Sequence, residues 1–168
     1  DTYQEIATHF LRDHFMRVSD VEGAFTLLPF HPDVWPFMLH RFELDEPGGN
    51  YLLLHTCGDF GTSGMPGTFK IFLVDVVVNM ARSEMVFTLP LVVYVDDGAL
   101  IGAVETEVNS EMGALQSFTT EYCGVVWKWA KDKPAAQAQL YIGFIWDSRD
   151  FSLCLEEKKI IRYLDDLA

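Results

Sequence analysis

Asp96 and Asp97 stand side by side at the end of the unbroken apolar run Leu91-Val92-Val93-Tyr94-Val95. A strand that has left water usually ends on a neutral turn, because ionised groups resist desolvation. Two adjacent carboxylates also repel each other, so the pair is either fully solvated or neutralised by a cation. One reading is a magnesium site at a strand tip. The other is a plain hairpin turned at Asp97-Gly98, a dipeptide that favours tight turns. Asp20 is the natural partner for Asp96, since it ends a second apolar strand and precedes Val21-Glu22-Gly23-Ala24-Phe25. Its alternative role is that of a turn or helix-capping aspartate. The chemistry open to these acids is two-metal phosphoryl transfer, which needs carboxylates from separate strands within ~4 Å of two ions. Magnesium takes hard oxygen ligands, so aspartates on rigid strand ends suit it. The five histidines show no metal-ligand spacing and the three cysteines, Cys57, Cys123 and Cys154, form no CxxC pair, so zinc is not expected.

The elements that must carry these acids can be read from periodicity. Tyr3, Ile6, Ala7 and Phe10 recur at helical spacing, and 15–21 reads as a strand with Met16, Val18 and Asp20 on one face. Strands over 38–44 and 51–55, joined at Pro47-Gly48-Gly49-Asn50, form a hairpin. The four glycines and Pro66 of 58–67 make a loop, followed by a helix burying Phe69, Phe72, Leu73, Val76 and Met80. Residues 86–94 and 99–102 flank the acidic tip as a hairpin. A further helix buries Val104, Val108, Met112, Leu115, Phe118 and Tyr122. Strands over 125–129, 140–146 and 151–155 and a final helix over 156–167 complete a mixed α+β order.

At 168 residues with 49% hydrophobic and 22% charged residues, the chain is one globular domain with a sizeable core. No apolar stretch reaches the ~18–20 residues of a membrane span. The unpaired cysteines suit a reducing, intracellular setting, cytoplasm or nucleus. The first residue is Asp1, which suggests a fragment of something longer. The net charge of −13 weighs against a broad nucleic-acid-binding surface, so any phosphate contact must be local. The basic and aromatic run Trp127-Lys128-Trp129-Ala130-Lys131-Asp132-Lys133 is the one such cluster, and by default it is a strand edge carrying solubilising lysines.

Ser19-Asp20-Val21-Glu22-Gly23-Ala24-Phe25, the loop Phe60-Gly61-Thr62-Ser63-Gly64-Met65-Pro66-Gly67-Thr68-Phe69, and the YVDD motif Tyr94-Val95-Asp96-Asp97 resemble three successive motifs of the reverse-transcriptase palm. Tyr141-Ile142-Gly143-Phe144 is similar to the primer-grip hairpin of that family, and the tail 145–159 is most like its retrotransposon branch, of gypsy or DIRS type. The resemblance covers nearly the whole chain. It implies an antiparallel sheet backed by helices on one face with part of the fingers, as a single unit over 1–168. It implies an RNA-directed DNA polymerase, a nucleotidyltransferase using Mg2+ or Mn2+ and acting on a dNTP and an RNA or DNA template-primer. Asp20, Asp96 and Asp97, with the Val21 carbonyl, would hold the metal. Phe25, five residues after Asp20, would exclude a 2′-hydroxyl by its bulk; read without Asp20, it is an ordinary core residue. Ala24, Phe60, Gly61, Pro66 and Tyr94 would shape the nucleotide pocket, Tyr141 and Gly143 the primer grip, and Lys131 or Lys133 would match the lysine of the following motif.

Two departures bear on activity. Glu22 puts an acid beside the expected triphosphate, and the basic residues that hold the β- and γ-phosphates in the family have no counterpart in this chain. The isolated chain is therefore expected to be weak or inactive, with most template contacts supplied by missing fingers, thumb and RNase H. An alternative is a domesticated, non-catalytic palm acting as an interaction module, favoured by the acidic charge. A nucleotide cyclase would also put acids on a strand and a hairpin, but it gives no reason for the Gly61-to-Pro66 loop or the Tyr141–Phe144 hairpin.

Overall fold

The structure is a computed structural model that describes residues 2–43 and 50–167. Its order is α1 (Thr2–His9), β1 (Phe15–Asp20), two 3-10 turns (Ala24–Leu27 and Pro32–Phe37), β2 (Leu39–Glu43) and β3 (Asn50–Leu54). One long helix follows, made of α2 (Met65–Lys70), a π-helical middle (Ile71–Val78) and α3 (Asn79–Ser83). Then come β4 (Leu91–Tyr94), β5 (Asp97–Gly102), α4 (Glu105–Cys123), β6 (Ala138–Tyr141), β7 (Phe144–Asp147), β8 (Ser152–Leu155) and α5 (Glu157–Asp165). All strand pairs are antiparallel, in three sheets ordered β1-β5-β4, β2-β3 and β6-β7-β8.

The sheet that carries the acids is built around β5. Successive side chains of a strand point to opposite faces, and β5 divides accordingly. Ala99 and Ile101 pack with Ile6 and Phe10 of the α1 segment and with Tyr141 and Trp146 of the third sheet. Leu100 faces the other way, onto Val108, Met112 and Leu115 of α4 and onto Val78 and Ala81. Ala99, Leu100 and Ile101 are fully buried, and each Leu or Ile so placed contributes about 1.5–3 kcal/mol. A central strand locked on both faces is a rigid mount for whatever sits at its end. The long helices thus lie on one face, and the other is closed by α1 and the third sheet.

Several expected elements change on folding. The helix after the glycine-rich loop buries Phe69, Leu73, Val77, Val78 and Ala81, while Val76 is exposed. The cause is the π-helical middle, whose i→i+5 bonding widens the turn and moves the buried stripe off the 3.6-residue period. In α4, Tyr122 is exposed, as is Val104 just before the helix, and the buried stripe also takes in Gln116 and Thr119. The expected strand 125–129 is reduced to one bridge, Val21 to Trp127, because the chain turns at once through Lys131 N–H to the Lys128 carbonyl (2.9 Å). The expected strand 140–146 is two strands, broken at Ile142-Gly143. β4 begins only after Pro90, which lacks the N–H of a ladder residue. The β2–β3 hairpin forms as expected; residues 47–49 of its turn lie outside the described residues. Among the described residues no helix is long and apolar enough to cross a membrane.

Candidate active site

Tyr94 and Asp97 are directly paired, so the loop joining β4 to β5 is Val95-Asp96. The turn is therefore two residues earlier than the Asp97-Gly98 expected from dipeptide preference. Val95 has φ +56° and Asp96 does not share that left-handed sign, the pattern of a type II′ hairpin turn. A β-branched residue held there is strained, at a cost of roughly 1–3 kcal/mol. With the turn at this position, Asp97 belongs to the central strand and pairs with Asp20 across β1. Residues directly opposite in an antiparallel pair share a face, with Cβ atoms roughly 4.5–5.5 Å apart. The Asp96 carbonyl accepts the Val21 N–H at 2.9 Å, which stitches the loop to the end of β1.

Three carboxylates are thereby gathered at one sheet edge, and their electrostatics shows it. Burial, then the charges of Asp20 and Asp96, push the Asp97 carboxyl up to about 6. Burial also raises Asp96, with the Asp20 charge adding to it and Lys131 and Lys128 opposing. Burial is the larger cause in both, and the neighbouring acids add to it while the two lysines oppose.

The partial compensation comes from the loop after α4. Lys131 Nζ donates to Asp20 Oδ2 at 2.6 Å, and Lys128 Nζ lies 3.8 Å from the same oxygen. The Asp20 hydrogen bond holds the Lys131 ammonium above its ordinary range. Of the two lysines expected here, the structure brings Lys131 to Asp20, while Lys133 lines the cleft beside it. Lys128 went unassigned in the sequence, as did the network that anchors this loop. Arg17 Nη2 pairs with Asp132 Oδ2 at 2.5 Å, Ser19 Oγ donates to Asp132 Oδ1 at 2.8 Å, and Gln116 Nε2 donates to Ser19 Oγ at 2.8 Å. Burial alone would raise Asp132, but the hydrogen bonds from Arg17 and Ser19 outweigh it and its carboxyl sits below the usual range. A visible signal existed: an arginine inside a strand, on the face a helix covers, needs a buried acid.

The hairpin Tyr141-Ile142-Gly143-Phe144 is present, with Tyr141 opposite Phe144 and positive φ at Ile142 (+49°) and Gly143 (+81°), a type I′ turn. Glycine suits position 143 because its φ of +81° strains any residue with a Cβ; the one neighbour a Cβ would meet, Lys159 Nζ at 2.8 Å, is the mobile end of a long side chain. The buried Tyr141 hydroxyl bridges the Val92 and Asp97 carbonyls at 3.0 and 3.2 Å, tying this hairpin to the acidic strand. Between them opens a cleft of about 620 Å3 bordered by Asp20, Asp97, Glu156, Tyr141 and Gly143 and by Lys131, Lys133, Lys159 and Lys158, the last paired with Glu156 at 3.1 Å. With Lys128, five of the six lysines of the chain stand at this one edge.

The remaining expected residues form a second group. Phe25 is 6% exposed, its ring edge-on to Phe60 at 4.9 Å and to Phe69 at 6.0 Å, in the cluster that holds Val21 and Ala24. Phe60 is 75% exposed, Gly61 has φ +93°, and Pro66 is the second residue of α2, where its missing N–H is tolerated. Tyr94 is exposed beside the tip. This group abuts the acids through Val21 but does not line the lysine cleft. Gly58 was not singled out in the sequence, yet a Cβ there would lie 2.5 Å from the Phe25 carbonyl, so the loop can close on Phe25 only with glycine.

The donor set fits a hard dication: aspartate oxygens, two of them on carboxyls raised by burial and, less, by neighbouring acids. Among the described residues no three Asp, Glu, His or Cys side chains converge closely enough to hold a metal as they stand. Asp20, the deepest of the three, is instead occupied by an ammonium.

No protein-family model matches the sequence, and neither does any curated protein. Among solved structures the chain is similar to a foamy viral protease-reverse transcriptase in complex with double-stranded DNA. The TM-score is 0.74 at 16% identity, over 98% of this chain and 26% of that one. The chain thus spans about a quarter of that protein. The likeness shows that the fold is that of a reverse-transcriptase domain.

Proposed function

We propose that this chain is the catalytic palm of an RNA-directed DNA polymerase from a retrotransposon of gypsy or DIRS type. The observation that carries the reading is Asp20 facing Asp97 across β1 and β5, with Asp96 on the loop beside them, on a reverse-transcriptase fold. The reaction is attack of a primer 3′-hydroxyl on the α-phosphate of a dNTP, with release of pyrophosphate. Asp20, Asp96 and Asp97, with the Val21 carbonyl, are the residues that would hold Mg2+ or Mn2+. When bound, the ions acidify the attacking hydroxyl and neutralise charge developing on the triphosphate. The protein itself contributes positioning, since phosphoryl transfer asks for little covalent chemistry. Phe25, wedged between Phe60 and Phe69, is an immobile ring suited to excluding a 2′-hydroxyl by volume. Ala24, Gly61, Pro66 and Tyr94 frame the nucleotide, and the Tyr141–Gly143 turn supports the primer end.

A template-primer partner is compatible with −13 because the lysines are concentrated at the cleft. A phosphate backbone there meets Lys131, Lys133, Lys158 and Lys159, in keeping with local contact. The test is Mg2+ titration of thermal stability in the wild type, D20N and D97N, followed by primer extension with the palm in its encoded context. Saturating Mg2+ at about 100 times its Kd should stabilise the wild type by about 2.7 kcal/mol and neither variant. A flat titration with retained fold would favour the second reading, a non-catalytic interaction module. That reading draws on the acidic charge and on the ammonium already seated on Asp20.

A further inference from the structure

Two polar contacts join β1 to the loop after α4, one residue apart on each side. In the inner one, Ser19 and Arg17 meet Asp132, and Gln116 completes the shell. In the outer one, Asp20 meets Lys131. The backbone around the outer contact is fixed, because Lys128 N–H donates to the Asp20 carbonyl (2.8 Å) and Val21 N–H to the Asp96 carbonyl (2.9 Å). The Asp20 carboxylate is nearly buried, at 9% exposure, whereas the Lys131 side chain is 62% exposed. The one part free to move is the ammonium. It sits on a carboxylate that pairs across the strands with Asp97, with Asp96 on the loop beside them.

We propose that Lys131 is the resident counter-ion of Asp20, and that its ammonium and a divalent cation compete for this single carboxylate. The inference rests on the metal-binding reading above. A dication carries twice the charge and is attracted by the two neighbouring carboxylates as well, so it displaces an exposed ammonium that water solvates easily. Arg17, Ser19 and Gln116 keep the loop in place through Asp132 during the exchange, so the lysine leaves without the strand end moving. The freed ammonium stays over the cleft it already borders.

The competition is measured by counting free Mn2+ by electron spin resonance in the 168-residue chain. K131M should bind Mn2+ about tenfold more tightly than the wild type, because a competitor in direct contact has gone. K133M loses the same charge from the same cleft without touching Asp20, and should change affinity by no more than about twofold. Equal tightening in K131M and K133M would overturn direct competition in favour of a general charge effect. A second reading uses the wild type alone: the 15N ammonium resonance of Lys131, held by Asp20, should move to the position of a free lysine on saturation with Mg2+. A resonance that stays put sinks the proposal. If the wild type binds Mn2+ and K131M binds no more tightly, this inference alone fails; if neither binds, the metal reading fails with it.

Discussion

Two ion pairs join the same strand and loop, three residues apart on the strand and one on the loop, yet they do opposite work. Arg17–Asp132 is largely buried, at 15% and 11% side-chain exposure, and every acid oxygen has a partner. Asp20–Lys131 has a buried acid and an exposed base. Removing one partner of a buried pair strands a charge in a poor dielectric, whereas an exposed pair trades with water almost evenly. The inner pair is architecture and the outer one is exchangeable. A single register thus holds a permanent joint next to a replaceable contact.

That contrast can be broken by substitution. The largest effect is expected for D132A, which should cost about 3–5 kcal/mol in denaturant unfolding by leaving the buried Arg17 charge without its counter-ion, with only the neutral Asn109 and Gln116 as partners; a loss under 1 kcal/mol would make the two pairs equivalent. Y141F comes next. Removing the hydroxyl that bridges Val92 and Asp97 should cost about 1–2 kcal/mol. It should also weaken metal binding if the hairpin steadies Asp97. D97N is smaller and is read through pH. The Asp97 carboxyl is raised from its ordinary 3.8 to about 6, so its protonated form is the one that folding favours. Metal-free wild type should therefore lose stability relative to D97N as pH rises from about 4 through 6, and stay below it at neutral pH. Parallel stability curves for the two proteins would show that Asp97 is uncoupled from its neighbours. The smallest effect is K131M, which should change unfolding stability by no more than about 1 kcal/mol. A larger loss would move Lys131 to the architectural side.

The acids and their two strands were legible because runs of apolar residues ending in charge have few other solutions. Periodicity, by contrast, joined 140–146 into one strand, and only the family resemblance pointed to the Tyr141–Phe144 hairpin. The turn at the tip was misread for a definable reason. A loop at 97–98 and one at 95–96 differ by two residues, and side chains alternate with period two, so both keep every residue on its observed face. The alternation pattern is blind to that choice, and Asp-Gly preference then points the wrong way. Pairing with β1 breaks the tie, since Asp97 must lie on the strand to meet Asp20. Such long-range pairing is absent from any local window. The helix after the glycine-rich loop was misread for the opposite reason: its pattern was clear, but the π-helical bonding of Ile71–Val78 changed the period. The Asp132 network needed three elements, β1, α4 and the following loop, to be brought together before it existed at all.

The crowding of lysines at one edge makes the chain an electric dipole with a strongly acidic bulk. A polyanion meets repulsion over most approaches and the least over this edge, where the lysines offset the acids they stand among, so the molecule filters orientation before any contact forms. Salt then acts on two ranges. At about 0.01 M the Debye length of about 30 Å lets the bulk repulsion reach an incoming strand, while at about 0.1 M it shrinks to about 10 Å and leaves only the contacts made at the lysines themselves. Association with nucleic acid should for that reason be fastest at intermediate ionic strength, slowing on either side, in place of the monotonic fall of a uniformly basic protein.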